Sequence, residues 1–534
     1  MTQRFSRFRQ HITSQAQSVR SRLRQTHSSL LLAGTLMGGL AVGLGGCIVG
    51  PSPKDIPPLP DKTGYSQKPI KPVTSGRDNA KDSILHRQHF VSGADIAGKW
   101  WESFQNPRLN QLVEQSLVNN RTLTAMQAGL KAAWEQRRVE GASLYPTISA
   151  QFIPTRNKTS KALSPVPNNN EWLYNLHTAQ LNIGYVPDFW GGARLAIRNA
   201  QAQADIQRFQ LEATTLTMIS NIVNTAITEA GLRAQIRAKE ALIAQQTAML
   251  RINQRQVGLG DQSRQSQLLL RDSLAQLQAD LPPLQTQLAQ ARDQLATLAG
   301  LPPNADLPVF ELKDFTLPQQ LPVSVPAQLI LQRPDVASAQ AQIRSAGAQL
   351  GIAIANRLPN VQLSALPGEA VDSMGKMFKP GMGNWMLAAT VTQPIFQGGS
   401  LLHAQREAKA NYTQAKEYYK AAILSAVSDV ADSLHAVELD GNTLMADQSG
   451  LDAATQALHI AEVQHRLGDN SEIDVAQARM AVAQDQISVA QDEVARLSDT
   501  VGLFQALGGG WWNRNDLGVS PEDAKRLSTT LVPW

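Results

Sequence analysis

The sequence predicts a mainly α-helical protein with a smaller β part, built from two tandem copies of one unit. First, two long runs rich in Gln and Ala contain no proline, and each opens with a Pro-x-Phe-x-Gly-Gly motif, at 187–192 and 394–399. Second, each run reaches a Leu-Gly-Asp triplet, at 259–261 and 467–469, so the triplets lie 208 positions apart (467 − 259). Third, short segments that alternate apolar and polar residues precede each motif. An offset held over roughly 110 residues indicates a tandem duplication.

The two long runs predict helices of unusual length. Each offers about 65 residues of uninterrupted helix, on the order of 100 Å at 1.5 Å per residue. Leu, Ile and Val are scattered among many Ala and Gln residues, which suits a coiled-coil wall better than a thick globular core. Shorter helices are expected to return over 263–299 and 471–506. Pro282-Pro283 should divide the first of these into two segments, since an interior proline costs about 3 kcal/mol.

Each copy also predicts a helix and a β-hairpin ahead of its long helix. Apolar residues at helical spacing predict helices over 107–143 and 326–356, with Asn119-Asn120 as a candidate interruption of the first. Segments with period-two alternation predict two hairpins. The expected strand pairs are 147–154 with 173–186 and 360–366 with 385–394, separated by loops at 155–171 and 367–384.

The residues before position 47 predict an export signal rather than folded structure. They hold six arginines and no acidic residue, followed by an apolar stretch from Leu30 to Leu44. Two glycines then precede the single cysteine of the sequence, Cys47, in a pattern similar to a bacterial lipobox. A single cysteine cannot form an internal disulfide, so we expect Cys47 to be the lipid attachment site. The alternative is an ordinary signal peptide with an incidental cysteine.

The segment after Cys47 predicts an extended linker. From Gly50 to about Ser92 the sequence is rich in Pro and Lys and lacks apolar periodicity. Trp100-Trp101 then announces folded structure. The predicted organisation is a leader at 1–46, a lipid-anchored linker at 47–99, a first repeat at 100–300, an equatorial connector at 301–325, a second repeat at 326–508 and a belt or tail at 509–534.

The charge distribution gives no support to nucleic-acid binding. The whole chain has a net charge of +5, and the six arginines of the leader account for all of it, since 5 − 6 leaves −1 for the remainder. The basic isoelectric point therefore belongs mostly to the leader. A nearly neutral mature chain lacks the basic field that attracts nucleic acid.

The hairpins raise the question of a membrane. No run of 18 or more apolar residues follows Cys47, so the sequence predicts no transmembrane helix after it. Four strands of about 8–12 residues could each cross an outer membrane if tilted, but four strands cannot close a barrel. An open sheet in lipid leaves backbone groups unpaired, so a spanning state must pool strands from several copies. Three copies would supply twelve strands, whereas two would supply a filled eight-stranded barrel. A soluble sandwich is the alternative.

Several motifs in fixed order carry a resemblance to a known family. They are Cys47 before Gly50-Pro51, Trp100-Trp101 with Phe104 and Leu109, Asp188-Phe189-Trp190-Gly191, Arg333-Pro334-Asp335-Val336, Pro394-Ile395-Phe396-Gln397-Gly398-Gly399 and Ala506-Leu507-Gly508-Gly509-Gly510-Trp511. With them the chain resembles the TolC-like outer-membrane efflux factors, in the lipoprotein branch (NodT-type) that serves resistance-nodulation-division pumps. Gln340 departs from the branch, which often has glutamate there.

The resemblance implies an architecture and a set of partners. It implies a homotrimer with a twelve-stranded β-barrel in the outer membrane, continuous with a long periplasmic α-helical coiled-coil barrel and a mixed equatorial belt. The expected function is a passive exit duct for small molecules, fed by an inner-membrane pump through a periplasmic adaptor protein. Ile48 after Cys47 implies sorting to the outer membrane in this lipoprotein class. A periplasmic lipid-anchored coiled-coil scaffold is the alternative function.

Four sets of residues are candidate functional positions, the first of which is the lipid attachment site Cys47. Glycine pairs before the long helices suit tight strand-to-helix bends. The far ends of the long helices are expected to form a periplasmic tip, where glycine caps the helix and where the resemblance implies contact with the adaptor. The candidate bends are Gly191, Gly192, Gly398 and Gly399, and the candidate tips are Leu259, Gly260, Asp261, Leu467 and Gly468.

The acids just beyond the second tip form the fourth set. The resemblance implies an acidic ring at a constricted pore mouth, with Asp474 in the position of its first acid and Asp469 and Glu472 nearby. Gln477 occupies the position of a second acid, which argues against a double ring. Three-fold repetition of a carboxylate in a narrow mouth would attract cations. The alternative is that Asp474 only favours the first turn of its helix.

No pattern of residues predicts catalysis, a metal or a cofactor. His459 and His465 are six positions apart on a helix, which is wrong for a pair of metal ligands one turn apart. The Gly-Gly pairs lack the strand and helix context of a phosphate-binding loop. We therefore expect a protein that is not an enzyme and that holds no metal or cofactor.

Overall fold

The computed structural model describes residues 48–51, 57, 71–158, 173–323 and 332–514. The chain falls into two compact units. The first takes its residues from Met1–Ser52, Arg138–Arg198 and Gly347–Lys409, and the second takes its residues from Pro53–Arg137, Asn199–Ala346 and Ala410–Trp534. Each repeat contributes to both units, so the compact units do not follow the repeat boundaries.

The two repeats contain the same succession of elements. The helices are α1 (Pro107–Asn119), α2 (Arg121–Ala142), α3 (Gly192–Leu259), α4 (Arg264–Ala279), α5 (Leu281–Leu298), α6 (Pro334–Ala355), α7 (Ser400–Leu467) and α8 (Glu472–Ala506). The strands are β1 (His89–Ser92), β2 (Thr147–Lys158), β3 (Leu173–Tyr185), β4 (Gln320–Val323), β5 (Asn360–Val371) and β6 (Gly383–Thr392). Both α3 and α7 have 68 residues and begin 208 positions apart (400 − 192). This confirms the predicted order of helix, hairpin, long helix and returning helix.

Two predicted helix breaks are confirmed. Asn120 separates α1 from α2, and its Oδ1 accepts a hydrogen bond from the backbone N–H of Leu123 at 3.2 Å, as a helix N-cap does. Pro282 and Pro283 lie in the first turn of α5, where the missing N–H groups would have had no partner. The first returning helix is therefore divided between α4 and α5 at Asp280.

The strands of the two hairpins form one four-stranded antiparallel sheet. Its order is β2-β3-β5-β6, so the pairing of β3 with β5 joins the two repeats. The strands have 12, 13, 12 and 10 residues. The existence and pairing of both predicted hairpins are confirmed.

The predicted strand ends in the sheet are wrong. Loops were expected over 155–171 and 367–384, but β2 continues to Lys158 and β5 continues to Val371. Proline lacks the N–H that a central strand needs, so Pro367 is unusual inside β5. In the structure Pro367 pairs with Trp385 on β6, while pairing with β3 lapses between Ala365 and Gly368. The ladder thus tolerates the proline at a local gap on one side.

The extended linker predicted over 47–99 is also wrong from Lys71 onward. Strand β1 pairs in parallel with β4, so the predicted linker and the predicted connector share a small two-stranded sheet. Ile84 has no exposed surface, and the backbone N–H of Thr74 donates to the carbonyl of Gln88 at 2.9 Å. Isolated apolar residues in a Pro- and Lys-rich stretch have no periodicity, so their burial was not visible in the sequence. The helix predicted over 326–356 is represented by α6 at Pro334–Ala355, and its predicted start at 326 lies outside the described residues.

Trp100 and Trp101, the aromatic pair that predicted the start of folded structure, lie in the hydrophobic core of the second unit. Trp100 is 1% exposed, and its ring stacks on Phe504 with centroids 5.3 Å apart. The glycine run after α8 passes against this cluster with positive φ. A Cβ at Gly509 (φ +65°) would lie 3.3 Å from Trp100 Nε1, and a Cβ at Gly510 (φ +66°) would lie 2.6 Å from the carbonyl oxygen of Ile96. The run is therefore glycine for both backbone conformation and space.

Candidate functional site

One face of the four-stranded sheet is mostly apolar, with Arg156, Lys158 and Glu369 as its charged residues. Ile148 pairs with Ile183, Ile183 pairs with Ala365, and Ala365 pairs with Leu387, so one row crosses all four strands. Directly paired residues lie on the same face of a sheet. Ile148 and Leu387 are 68% and 70% exposed. The described residues of one chain thus leave this apolar face uncovered.

The opposite face of the sheet is polar. Gln180 Nε2 donates to Asn182 Oδ1 at 2.9 Å, and Asn182 Nδ2 donates to Gln151 Oε1 at 3.1 Å. Gly184 and Ser364, which are paired across the repeats, lie on the same face. At about 3.3 Å per residue, the four strands are long enough to cross the ~25 Å apolar band of an outer membrane when they are tilted. The apolar face of the sheet is suited to contact with lipid, and its polar face is suited to contact with water.

The candidate bends differ in how far they need glycine. Gly191 has φ +78°, and a Cβ there would lie 3.1 Å from the Cα of Ile48. Gly398 and Gly399 have φ +58° and +85°. All three adopt the left-handed conformation that favours glycine, as predicted. Gly192 does not, because it is the first residue of α3 and a Cβ there would meet Ala355 Cβ at an ordinary 3.5 Å.

A carboxylate fixes the first of these bends. Asp188 Oδ1 accepts from the backbone N–H of Ala193 at 3.1 Å, and Oδ2 accepts from the backbone N–H of Arg194 at 3.1 Å. The guanidinium of Arg194 also donates to Asp188 Oδ2 at 3.0 Å. The acid satisfies free N–H groups in the first turn of α3 and complements its dipole. Position 395 of the second repeat is Ile395, which is 95% exposed, so the second bend lacks this clamp.

The predicted tips terminate the long helices as expected. Gly260 and Gly468 both have φ +86° and follow the last residues of α3 and α7. The backbone N–H of Asp261 donates to the carbonyl of Gln256 at 2.8 Å, which closes the helix end. The other tip residues are equally open to solvent, with Leu259 and Leu467 exposed by 81% and 73%. Each tip therefore presents one exposed leucine to solvent.

Asp474 belongs to a helix cap. Its backbone N–H donates to Ser471 Oγ at 3.2 Å, and its Oδ2 accepts from the backbone N–H of Ser471 at 3.1 Å. This reciprocal pair is a capping box at the start of α8. The hydrogen bonds from the Ser471 hydroxyl and then from its N–H lower the pKa of Asp474, which keeps the carboxylate ionised. Asp469, Glu472 and Gln477 are exposed around it.

Neither a metal centre nor a membrane helix occurs in the described part of the chain. There, no group of three or more His, Cys, Asp or Glu side chains could hold a metal ion. No helix of the described residues combines the length and the apolarity needed to cross a membrane. Cys47 lies outside the described residues.

The repeats and the sheet agree with one family of proteins. The model of the family "outer membrane efflux protein" matches residues 112–301 and 325–509, which together cover well over half of the chain. The matched ranges begin 213 positions apart (325 − 112) and end 208 apart (509 − 301), so the family model follows the duplication. The chain belongs to the outer membrane efflux protein family. It is therefore an outer-membrane protein of the efflux type.

Curated relatives are outer-membrane components of exporters. The chain is 28% identical over 419 residues to the pyoverdine export outer membrane protein OpmQ of Pseudomonas putida, covering 77% of this chain and 88% of that protein. It is 26% identical over 428 residues to the toluene efflux pump outer membrane protein TtgC of the same species, covering 79% and 88%. Nearly the whole length of each relative is therefore matched.

Solved structures share the fold. The outer membrane channel CmeC of Campylobacter jejuni superposes with a TM-score of 0.76 at 21% identity, covering 90% of this chain and 98% of that one. The outer membrane protein VceC of Vibrio cholerae gives 0.69 at 25% identity, covering 78% and 100%. These likenesses confirm the TolC-like fold of this outer membrane efflux protein.

The Arg-Pro-Asp motif at 333–335 has a structural role that the sequence alone does not indicate. Arg333 Nη1 donates a hydrogen bond at 2.9 Å to the carbonyl of Ala506, the last residue of α8. Its Nη2 donates to Asp335 and Asp429, each at 2.8 Å. These hydrogen bonds raise the pKa of Arg333 against the opposing effect of its burial. The motif therefore joins the start of α6 to the end of α8 and to α7.

Proposed function

We propose that this outer membrane efflux protein works as a homotrimer, in which three sheets close one twelve-stranded barrel above a helical duct. The observation that carries the proposal is the sheet itself. It has an uncovered apolar face, a polar face and two edge strands, β2 and β6. Unpaired edges are untenable in lipid, so they must pair with other copies. Three copies leave an interior wide enough for solutes, whereas two would leave one filled with side chains.

We further propose that lipid on Cys47 anchors each copy to the outer membrane. The glycines before Cys47 and the apolar stretch ahead of them support acylation at this residue. Each buried CH₂ of an acyl chain contributes about 0.8 kcal/mol to membrane binding. Mass spectrometry of the mature N-terminus should find a diacylated or triacylated Cys47. An unmodified N-terminus downstream of Cys47 would end this part of the proposal.

The tips are proposed to meet a periplasmic adaptor protein, which links the duct to an inner-membrane pump of the resistance-nodulation-division type. The exposed Leu259 and Leu467 beside the two tip glycines support an apolar docking contact. The curated relatives are named as parts of export and efflux pumps, which supports a tripartite assembly. The duct would then supply no energy of its own.

The acids at the second tip are proposed as a gate. Three copies of Asp474 around one axis, with Asp469 and Glu472 nearby, would repel one another and attract cations. The lowered pKa of Asp474 supports a charge that persists under mildly acidic conditions. Gln477 would contribute no charge. Closure must then come from packing between helices, since the ring alone favours opening.

A cross-linking experiment tests the trimer. One cysteine on β2 and one on β6 are introduced together into the full chain, at positions that would face each other across adjacent edges of two copies, and are oxidised in native membranes. We expect covalent species up to a trimer and none larger, because three sheets close the ring. A dimer as the largest species would indicate eight strands, and a ladder beyond the trimer would contradict closure. Cysteines at two positions within β3 serve as the control, because β3 has no free edge.

A labelling experiment tests the orientation. A cysteine in place of Lys379, in the loop between β5 and β6, should react on intact cells with a reagent that cannot cross the outer membrane. A cysteine in place of Asn470, beside the second tip, should react only after the membrane is permeabilised. The reverse pattern would contradict the duct.

A further inference from the structure

Helices α7 and α8 bring pairs of carboxyl groups together across their contact. Asp499 acts on the pKa of Asp440 as a neighbouring acid, and Asp447 acts in the same way on Asp492. Both pairs obey one antiparallel register, since 440 + 499 and 447 + 492 are both 939. The pairs are one heptad apart on each helix, which places them on the same side of the contact. We call this part of the contact the carboxyl seam.

The carboxyl seam contains oxygens that need a donor. Asp440 Oδ2 and Asp492 Oδ2 are buried and have no hydrogen-bond partner among the described residues. An ionised carboxylate only accepts hydrogen bonds, so two facing carboxylates cannot satisfy each other. One proton shared within each pair supplies the missing donor. The two buried oxygens without partners therefore favour a protonated seam.

The electrostatic surroundings act in the same direction. Burial, and then the neighbouring Asp499, raise the pKa of Asp440 to about 7. Burial, and then Asp447, raise the pKa of Asp492 to about 6. Burial raises the pKa of Glu493, also on α8, to about 7, with further contributions from Asp82 and Asp492. These groups thus change charge in the range of ordinary periplasmic conditions.

The cation inside the seam does not neutralise it. Arg496 is fully buried on α8 and lowers the pKa of Asp440, yet its Nε and Nη1 have no hydrogen-bond partner in the described residues. Its Nη2 donates instead to the N-terminal segment, at the carbonyls of Ser75 and His86, at 3.2 and 2.8 Å. One guanidinium therefore faces several carboxyl groups.

Other charges packed against the seam are already paired. From the N-terminal segment, Lys71 lies 3.8 Å from Glu438 and Arg77 lies 2.8 Å from Asp452. Asp82 adds negative charge beside Glu493. Farther along α7, Arg479 of α8 pairs with Glu462 at 2.8 Å. The seam keeps an excess of acid.

The corresponding contact of the first repeat is built differently. At the 208-residue offset, the four aspartates correspond to Leu232, Lys239, Leu284 and Ala291. There Lys239 pairs with Asp280 at 3.0 Å, and Glu229 pairs with Arg292 at 2.7 Å. Opposite charges hold that contact. The duplication thus provides an internal control for the seam.

We propose that the carboxyl seam is a proton-operated latch, in which shared protons hold α7 against α8 and their loss loosens the pair. A raised acid pKa in the folded state means that the stabilisation is complete below the unfolded value near 4. It is lost as pH rises through the folded values of about 6 to about 7. The helix pair should therefore be tightest in acid. An effect on opening of the channel rests on the proposed duct, whereas the latch itself does not.

Hydrogen exchange of the full-length protein in lipid nanodiscs tests the latch. Exchange of peptides from α7 and α8 around the seam is measured at about pH 5.5 and about pH 8, corrected for the intrinsic rate. We expect protection of these peptides to be about tenfold higher in acid, the equivalent of one pKa unit. Peptides of α3 and α5 around Glu229 and Arg292 should change much less. Equal protection of the seam at both pH values would overturn the proposal.

Two variants separate the proton from other causes. Asp440→Asn with Asp492→Asn, made in a Glu493→Gln background, places amide donors where the protons would be and removes the third titrating acid, so protection should be high and independent of pH. The matched control Asp280→Asn, in the first repeat, should leave the pH dependence of the seam intact. A pH dependence that survives in the triple variant would contradict the latch, as would a seam tightened by Mg²⁺ at constant pH instead of by protons. Single-channel conductance is recorded separately, so absence of a pore would count against the duct and not against the latch.

Discussion

The long-helix contacts of the two repeats share a backbone plan but differ in what holds them. In the first repeat, the buried carboxylate of Glu229 receives Arg233 and Arg292 at 2.8 and 2.7 Å. In the second repeat, Asp440 and Asp492 face other aspartates, and Arg496 is turned toward the N-terminal segment. The two long helices nevertheless have the same length, 68 residues each. Helix length and register therefore survived the duplication, while the electrostatics of the contacts diverged.

This difference assigns unlike roles to the two contacts. An opposite-charge contact with a buried acid is costly to open, because separation leaves a charge without its partner. A contact between like charges is easy to loosen and responds to protons. In the proposed duct, the opposite-charge contact of the first repeat would keep its helices together, and the carboxyl seam of the second repeat would allow its helices to loosen. The predictions below test this contrast, starting with the largest expected effect.

Arg496→Ala should destabilise the protein most. The side chain is fully buried, and its removal leaves the carbonyls of Ser75 and His86 without a donor and the nearby carboxyls without a cation. We expect the free energy of unfolding to fall by about 3–5 kcal/mol. Thermal unfolding in detergent measures it, with the exposed Arg251→Ala as a control that should change little. A loss no greater than that of the control would contradict the assigned role of Arg496.

Glu229→Gln should weaken the first-repeat contact by a smaller amount. The carboxylate has no exposed surface and accepts hydrogen bonds from two arginines. Replacing these charge-assisted bonds should lower the free energy of unfolding by about 1.5–3 kcal/mol. Chemical denaturation at about pH 7.5 measures the loss. The comparison with the second repeat is sharpened by Asp440→Asn, which should instead leave stability unchanged or raise it, and a loss in both would erase the contrast.

Gly191→Ala should affect the first bend. An alanine must adopt φ +78° and approach Ile48, which costs about 1–2 kcal/mol. Gly258→Ala is the matched control. Gly258 lies near the end of α3, the helix that begins directly after Gly191, and has open space around it. The control should be neutral or slightly stabilising. Equal effects in the two variants, read as the temperature of unfolding, would show that the bend does not require glycine.

How far these features follow from the sequence depends on the kind of pattern behind them. The long helices, the breaks at Asn120 and Pro282 and the hairpin pairings follow from periodicity and proline chemistry, which are local. The tip and bend glycines follow from the two copies of each motif. These predictions hold because the residues that cause the feature adjoin it.

Other features depend on contacts between distant segments. The pairing of β1 with β4 joins positions more than two hundred residues apart, and Ile84 gives no periodic signal before it is buried. Pro367 stands in a strand because only one of its two neighbours pairs with it there. Asp440 and Asp499 are ordinary surface residues in sequence, and only the antiparallel register makes them a pair. The constant sum of their residue numbers, 939, identifies such pairs only after the antiparallel register of α7 and α8 is known.

The cap at the second tip should show the smallest effect on stability. Ser471→Ala removes the cap but keeps the acid, and should cost about 0.5–2 kcal/mol. Asp474→Asn retains an acceptor for the Ser471 N–H but removes the charge, so it should leave the fold intact and lower the preference for cations in single-channel recordings. Unchanged selectivity would make Asp474 only a helix cap.

Single-channel recording of purified trimers in a planar bilayer tests the central claim most directly. The account predicts stable, cation-preferring conductance steps from heat-dissociable trimers, because three two-faced sheets enclose a water-filled interior. Loss of the steps when the trimers are dissociated by heat would support that origin. Folded trimers that insert into the bilayer and conduct no ions, with the adaptor absent or present, would contradict the duct.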